Sequence, residues 1–371
     1  MKVLLVEPYM TGSHAQWAEG YQRYSSHDVQ ILSLKGQYWK WRMHGGAVEL
    51  ASRYEQLKWK PDVIFVSDML DLTIFLALTR QQTVNIPTAI YFHENQLCYP
   101  WSPEDRDVVL QRDHHYGFIN YVSALSADRV FFNSGFHRDS FFEALSKFLN
   151  HFPDHRGTDQ IRLISAKSEI LHLGLDLRAL DRYKSRTGKN RIPLILWNHR
   201  WEYDKNPEDF FNALHILVSE GFDFQVAVLG KNFQQIPEVF QEAKTRLKKR
   251  IVQFGYVDQF EKYARWLWKA DILPVTSIHD FFGASVVEAV YCGCFPVLPD
   301  RLAYKELFEE NGDSLRLYYN FNEYIKMLKQ VLNKYPDLDC DKYKVNAGRY
   351  DWSEMAPIYD KTLYSLRKNR S

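Results

Sequence analysis

The sequence is 371 residues long, 46% hydrophobic and 15% aromatic, and its 47 lysines and arginines against 46 aspartates and glutamates leave a formal net charge of +1. That length exceeds a typical single domain and predicts two, each of a size that buries its own core. A balance this close to neutral argues against a protein that binds nucleic acid through overall basicity, while leaving room for a local basic patch.

The chain opens on MKVLLVEPYM, whose apolar run is too short for a signal peptide and reads as a first strand over Lys2–Glu7. MTGSHAQ follows, placing Gly12, Ser13 and His14 at a strand-to-helix turn; Gly12 permits close approach of a phosphate or sugar, and equally fits a plain turn. Further strands are predicted at Asp62–Val66 and Thr88–His93. The phrase YFHENQLCYP then puts His93, Glu94 and Asn95 at a strand end. A histidine there can orient a hydroxyl or pass a proton, or it can be structural. Arg129–Asn133 and Glu169–Leu173 complete the first half.

The polar, basic segment LDLRALDRYKSRTGKNR (175–191) reads as the connection between halves, either solvated or facing a polyanion. Beyond it, strands are predicted at Pro193–Trp197, Phe224–Leu229, Ile251–Phe254, Ile272–Val275 and Phe295–Leu298. Pro207–Glu220 and Tyr263–Ala270 carry helical spacing. Strands alternating with helices imply an α/β protein of two Rossmann-like, doubly wound domains facing a central cleft, with ligands at the strand C-termini. No run of 18 apolar residues reads as a membrane span. Cys98, Cys292, Cys294 and Cys340 lack zinc spacing and are expected to stay reduced, so the expected location is cytoplasmic.

Neither half has a GxGxxG or GxxxxGK[ST] loop, which disfavours a dehydrogenase or a P-loop NTPase. NHRWEYDKNPEDFF instead sets Arg200 and Lys205 five apart just past a strand. Two cations there suit a departing diphosphate, and they also suit a surface loop paired with Glu202 and Asp204. HDFFGASVVEAVYCGCFPV (279–297) carries Asp280 and Glu288 eight positions apart. Asp280 and Gly283 fit a helix N-terminus open to an anion, though an Asp there can simply be the N-cap. Glu288 is expected about two turns inside a buried helix, where a carboxylate needs hydrogen-bond partners such as sugar hydroxyls, backbone or an arginine.

With these residues in hand, the chain resembles the retaining glycosyltransferases of GT-B type, family four. That group carries an Arg…Lys pair after the first strand of its C-terminal domain and an E-x7-E motif, here Arg200, Lys205, Asp280 and Glu288, followed by CGCFPV (292–297). HLGLDL (172–177) and YDWSEMAPIYDKTL (350–363) are similar to its inter-domain and closing segments. The resemblance therefore implies domains at 1–174, for the acceptor, and 175–349, for the nucleotide sugar, with a C-terminal helix at 350–371 packing back on the first. FHENQLCYP, ADRVFFNSGFHRDSF (127–141), FPDHR (152–156), HRWEYDKNPEDFF (199–211) and EAVYCGCFPV (288–297) resemble, more narrowly, the tRNA-queuosine mannosyltransferases. The similarity runs over nearly the whole chain, with one departure: Asp280 stands where the family pattern has Glu.

What the resemblance implies is transfer of mannose from GDP-mannose to the cyclopentenediol of queuosine at the tRNA wobble position. Arg200 and Lys205 would hold the diphosphate, Glu288 the ribose, and Asp280 the hexose with backbone near Phe282 and Gly283. His93 would sit over the reacting sugar and Gly12 would line the phosphate. No metal is implied, since the two cations replace it. A tRNA acceptor calls for a basic, aromatic surface, and LKGQYWKWRMHGG (34–46) offers Lys35, Lys40 and Arg42 among Tyr38, Trp39 and Trp41; its other reading is an amphipathic core segment. His14, Glu94 and Asn95 are placed on the acceptor side as well. KTRLKKR (244–250) and HHYG (114–117) are weaker candidates, readable as a solvated helix end and a packed loop. The competing functions are a same-fold transferase for a lipid or saccharide acceptor, and a non-catalytic tRNA- or sugar-nucleotide-binding protein.

Overall fold

The computed structural model describes residues 1–371 apart from 102–104, 110–113, 155, 185–187, 231–235, 309–316 and 369–371. His155 of the FPDHR phrase and residues 185–187 of the connecting segment therefore lie outside the described residues. The chain divides into two compact units, Met1–Leu175 with Trp352–Ser371, and Asp176–Asp351.

The first unit contains six strands: β1 (Lys2–Met10), β2 (Asp28–Lys35), β3 (Val63–Ser67), β4 (Thr88–Phe92), β5 (Arg129–Phe132) and β6 (Ser168–Ile170). They form one parallel sheet in the order β2-β1-β3-β4-β5-β6. VIFVS and TAIYF are buried at every position, as the centre of a sheet covered on both faces requires. Leu4, Val6, Ile64, Val66, Ile90 and Phe92 anchor the core of this unit. The helix Trp352–Lys368 returns to this unit: the Trp352 amide donates to the Leu175 carbonyl at 2.8 Å and the Tyr21 hydroxyl to Asp360 at 2.9 Å. Gly20 and Gly174 make room for the Trp352 indole, which a Cβ at either position would overlap.

The second unit holds β7 (Leu194–Trp197), β8 (Gln225–Val228), β9 (Ile251–Phe254), β10 (Ile272–Pro274), β11 (Phe295–Pro299) and β12 (Leu317–Tyr318). Its parallel sheet runs β12-β11-β10-β7-β8-β9. Trp197, Phe210, Phe211, Val226, Phe240 and Val297 pack its core. Strand order reverses on either side of the pair β7 and β10, so the loops leaving these two strands diverge and open a crevice at their C-terminal ends. In the first unit the same reversal falls between β1 and β3.

Two strands have no counterpart in the sequence reading. β2, DVQILSLK, is an edge strand interrupted by polar residues, and β12 is only two residues long. Neither gives the continuous apolar run of a central parallel strand.

Candidate active site

The loops at the β7/β10 reversal carry Arg200, Lys205 and Asp280, and the helix after β10 carries Glu288. After β7 the chain makes a 3-10 turn over Tyr203–Lys205, and Asn206, in a left-handed conformation at φ 49°, caps the helix Pro207–Ser219. That turn buries Lys205 to 7% exposure. Its Nζ lies 3.0 Å from Asp204 Oδ2 and 3.6 Å from Asp280 Oδ2, and donates to the His279 carbonyl at 2.7 Å. Arg200 stays 44% exposed along its side chain, 3.2 Å from Glu202 and 3.9 Å from Asp204. The pairing with Glu202 and Asp204 is thus real, and it coexists with convergence on Asp280.

The helix after β10 begins later than the sequence indicated. It spans Ala284–Tyr291, and its N-cap is Gly283 at φ 90°, not Asp280. Glu288 is therefore its fifth residue, little more than one turn in rather than about two; the glycine, which alone tolerates this φ, breaks the helix between the two acids. A Cβ at Gly283 would press on Tyr304 at 2.9 Å, and the Tyr304 hydroxyl donates to Asp280 at 3.3 Å. Burial would raise the Asp280 pKa, but Lys205, His199, His279 and Arg200 together hold it below the ordinary range. Phe282 is buried, its ring edge-on to Tyr350. Glu288 Oε2 accepts from the Tyr263 hydroxyl at 2.7 Å, and burial, opposed by that bond, pushes its pKa up to about 7.

Three participants carry no sequence signal of their own. Asn198 donates to the Ser285 carbonyl at 2.7 Å, and His199 Nδ1 meets the Ser285 hydroxyl at 3.1 Å, tying the β7 loop to the helix start. Burial, with Lys205 nearby, lowers the His199 pKa to about 4, so the ring is neutral beside the cations. Tyr263, 25 residues from Glu288, is the third. His199 could have been noticed as the neighbour of Arg200 at a strand end.

In the first unit a second polar cluster gathers at the strand C-termini. Gly12 opens the helix Gly12–Tyr24 at φ 53°, and the space where a Cβ would stand is empty to 4 Å. His14 and His93 are 6% and 9% exposed, their rings 4.3 Å apart. His14 Nδ1 bonds Glu7 Oε2 at 3.0 Å, and the His93 amide donates to Asp68 Oδ1 at 2.8 Å. Glu7 and Asp68 are absent from the sequence reading because nothing in the local pattern separates them from the ends of apolar strands. Asn95 is fully buried and accepts from the Leu97 and Cys98 amides at 3.2 Å, which makes it a turn former, and Glu94 accepts from Gln96 at 3.1 Å. Glu7, His14 and His93 each bring one possible ligand atom within 4.8 Å of the others.

The aromatic, basic stretch becomes the end of β2 and the start of the helix Trp39–Glu55. Helical spacing splits it. Trp39 packs on Trp101 and Tyr116 at 5.7 and 5.1 Å. Lys40 reaches Asp105 at 2.5 Å and Asp107 at 2.6 Å, over the Trp39 and Trp101 rings. On the outside, Tyr38 and Trp41 are 77% and 64% exposed. With Lys35 and Arg42, Trp41 lines a groove that also includes Gln37 and Arg53. Of the weaker candidates, HHYG stacks His115 on His44 and buries Tyr116, while Lys248 and Lys249 of KTRLKKR are exposed.

The family model for the tRNA-queuosine alpha-mannosyltransferase N-terminal region matches residues 2–175, and the model for glycosyl transferases group 1 matches 181–344. A protein of Drosophila melanogaster named tRNA-queuosine alpha-mannosyltransferase is 32% identical over 374 residues, covering 96% of this chain and 95% of its own. The chain belongs to the tRNA-queuosine alpha-mannosyltransferase family. A GDP-mannose:cellobiosyl-diphosphopolyprenol alpha-mannosyltransferase of Xanthomonas oryzae is 20% identical over 206 residues, 52% of either chain. Among solved structures, sucrose-phosphate synthase of Thermosynechococcus elongatus aligns over 100% of both chains with a TM-score of 0.69 and 13% identity. An E. coli structure described as trehalose-6-phosphate bound with UDP-2-fluoro glucose aligns over 99% of each with a TM-score of 0.69 and 11% identity. At such identities the likeness shows the fold, which for this family member is GT-B.

Proposed function

We propose that this chain is a retaining glycosyltransferase that moves mannose from GDP-mannose to the cyclopentenediol of queuosine in tRNA. The observation that carries the reading is the gathering of Arg200, Lys205 and Asp280 beyond the C-terminal ends of β7 and β10, with Glu288 on the helix that follows β10, within a chain of this family. Arg200 and Lys205 hold the diphosphate and neutralise it as it departs. Glu288 accepts from ribose hydroxyls, and Asp280 accepts from the hexose, with backbone at Phe282 and Gly283 lining the sugar. The acceptor hydroxyl attacks on the face the phosphate leaves, and that phosphate takes the proton. The protein's share is positioning and charge stabilisation. His93 and Gly12 serve the reacting sugar and phosphate, with His14, Glu94 and Asn95 on the acceptor side. Tyr38, Trp41 and Lys35 are exposed residues of the basic, aromatic stretch and, with the half-buried Arg42 of the same groove, the ones proposed to meet the anticodon loop. Trp39 and Lys40 support them from beneath. The reaction is cytoplasmic in this reading, and among the described residues no helix is long and apolar enough to cross a membrane.

Supplied with queuosine-containing tRNA and a panel of GDP- and UDP-linked hexoses, the protein is expected to release nucleoside diphosphate fastest from GDP-mannose. Preference for another donor would contradict the mannose assignment, for which the shorter Asp280 is the residue to examine. No metal is needed here, because two cations face the diphosphate. Turnover is therefore expected to survive EDTA, and a strict divalent-cation requirement would overturn the metal-free mechanism.

Nucleotide binding should also carry a signature of Glu288. Its carboxyl, raised to about 7, is neutral below that pH and accepts ribose hydroxyls best when ionised. GDP affinity measured by calorimetry is expected to rise as pH increases through 7, and Glu288→Gln to flatten the dependence. A wild-type affinity independent of pH would remove Glu288 from the ribose site.

A further inference from the structure

We propose that Glu7 is a positioning residue of the transfer reaction, locking the His14 ring through Nδ1 so that His14 and His93 present one donor and one acceptor nitrogen to a pair of substrate hydroxyls. The inference rests on the glycosyl-transfer reading and adds to it a residue with no motif of its own.

The geometry is restrictive. Glu7 is fully buried at the C-terminal end of β1. Both of its oxygens are engaged, Oε1 by the Tyr9 amide at 2.7 Å and Oε2 by His14 Nδ1 at 3.0 Å, so the carboxylate cannot rotate away. His14 sits in the first turn of the helix Gly12–Tyr24, its ring between the edge of Tyr9 at 6.0 Å and His93 at 4.3 Å. His93 is held by its amide on Asp68, with Trp17 and Tyr91 flanking the ring at 4.6 and 4.8 Å. Despite that enclosure, His93 Nε2 has no hydrogen-bond partner, and neither does Asn95 Nδ2 beside it in the chain. Leaving a buried polar atom unpaired costs about 1–3 kcal/mol, and a bound polar ligand removes that cost.

Charge separates the two rings. Burial lowers the His14 pKa, but Glu7, through its charge and its hydrogen bond, and more weakly Asp68 and Glu94, outweigh it and bring it to about 9. His93 is pushed well below its usual value by burial and by the charges of His14 and His137. Burial raises the Asp68 pKa to about 8, against the pull of His14 and of the His93 amide. An imidazolium and a neutral imidazole in contact form a donor and an acceptor side by side, which suits neighbouring hydroxyls: one accepts from His14 and the other donates to His93. Environments that push paired groups apart in this way mark division of labour in acid–base sites.

The test is Glu7→Gln, which keeps the shape and removes the charge. Hexose transfer to tRNA is expected to lose about tenfold or more in kcat near pH 8 with little change in KM for the sugar nucleotide, and to recover toward wild type near pH 6 as His14 regains its proton. In a His14→Gln background, Glu7→Gln should cause no further loss. A loss equal at every pH, or none, would overturn the proposal. Should Glu7→Gln fail to fold, nitrogen-15 NMR of the wild-type histidines decides: both His14 ring nitrogens protonated at neutral pH supports the proposal, and a neutral His14 ring overturns it. That measurement needs no turnover, so failure of the mannosyltransferase reading is seen separately, as wild-type protein that transfers no hexose.

Discussion

Arg200→Ala is expected to lower turnover by about 100- to 1,000-fold, the usual consequence of removing one donor aimed at developing negative charge. The same change should barely affect stability. Arg200 is 44% exposed along its side chain and its ion-pair partner Glu202 is 30% exposed, and exposed ion pairs contribute about 0–1 kcal/mol. Lys205 offers the contrast. With its side chain 9% exposed and its ammonium wedged between Asp204 and Asp280, Lys205→Ala strands two acids and should lose both activity and several degrees of thermal midpoint. The informative comparison is kcat beside thermal unfolding for the two variants. If Arg200→Ala weakened tRNA binding as much as turnover, its role at the diphosphate would be refuted.

The second large effect belongs to Trp41. The residue is 64% exposed, and its indole lies against Gly45, where a Cβ would meet it at 2.8 Å. Trp41→Ala is expected to raise the Kd for tRNA about tenfold or more, since stacking a base on an aromatic side chain contributes about 1–3 kcal/mol. GDP binding should not change. Trp39→Ala, by contrast, hollows the packing among Trp101, Tyr116 and Met43 and should act first on stability. Filter binding at a fixed salt concentration, with GDP calorimetry alongside, separates the two. Unchanged tRNA affinity in Trp41→Ala would remove this face from the acceptor site.

These contrasts show where sequence stops being informative. The central strands were legible because VIFVS, TAIYF and LILW are apolar without interruption, as strands covered on both faces must be. Edge strands such as DVQILSLK mix polar and apolar positions and look like connections. Within the candidate site, Arg200, Lys205, Asp280 and Glu288 could be singled out because their spacing along the chain repeats a family pattern. Their supporting residues could not. Tyr263 bonds Glu288 from 25 positions away and Tyr304 bonds Asp280 from 24, distances at which only the folded sheet decides who meets whom. The division of the Tyr38–Arg42 segment was hidden for a related reason. Its register on the helix, fixed by the left-handed Tyr38 at φ 54°, determines which aromatic ring turns inward.

Asp280 gains a specific context from the structure. Its carboxylate is drawn toward Lys205 and held by Tyr304, behind the glycine that starts the helix Ala284–Tyr291. A shorter acid at this position is therefore accompanied by a fixed hydroxyl donor, and the pair, not the carboxylate alone, would set the hexose contact.

The most direct measurement of the central claim is nucleoside mass spectrometry of queuosine-containing tRNA after incubation with the protein and GDP-mannose. The expected result is a mass gain of one hexose on queuosine, absent with Arg200→Ala on the same time scale and absent from tRNA lacking queuosine. A hexose on any other nucleoside, or none on queuosine with every sugar nucleotide tried, would contradict the account.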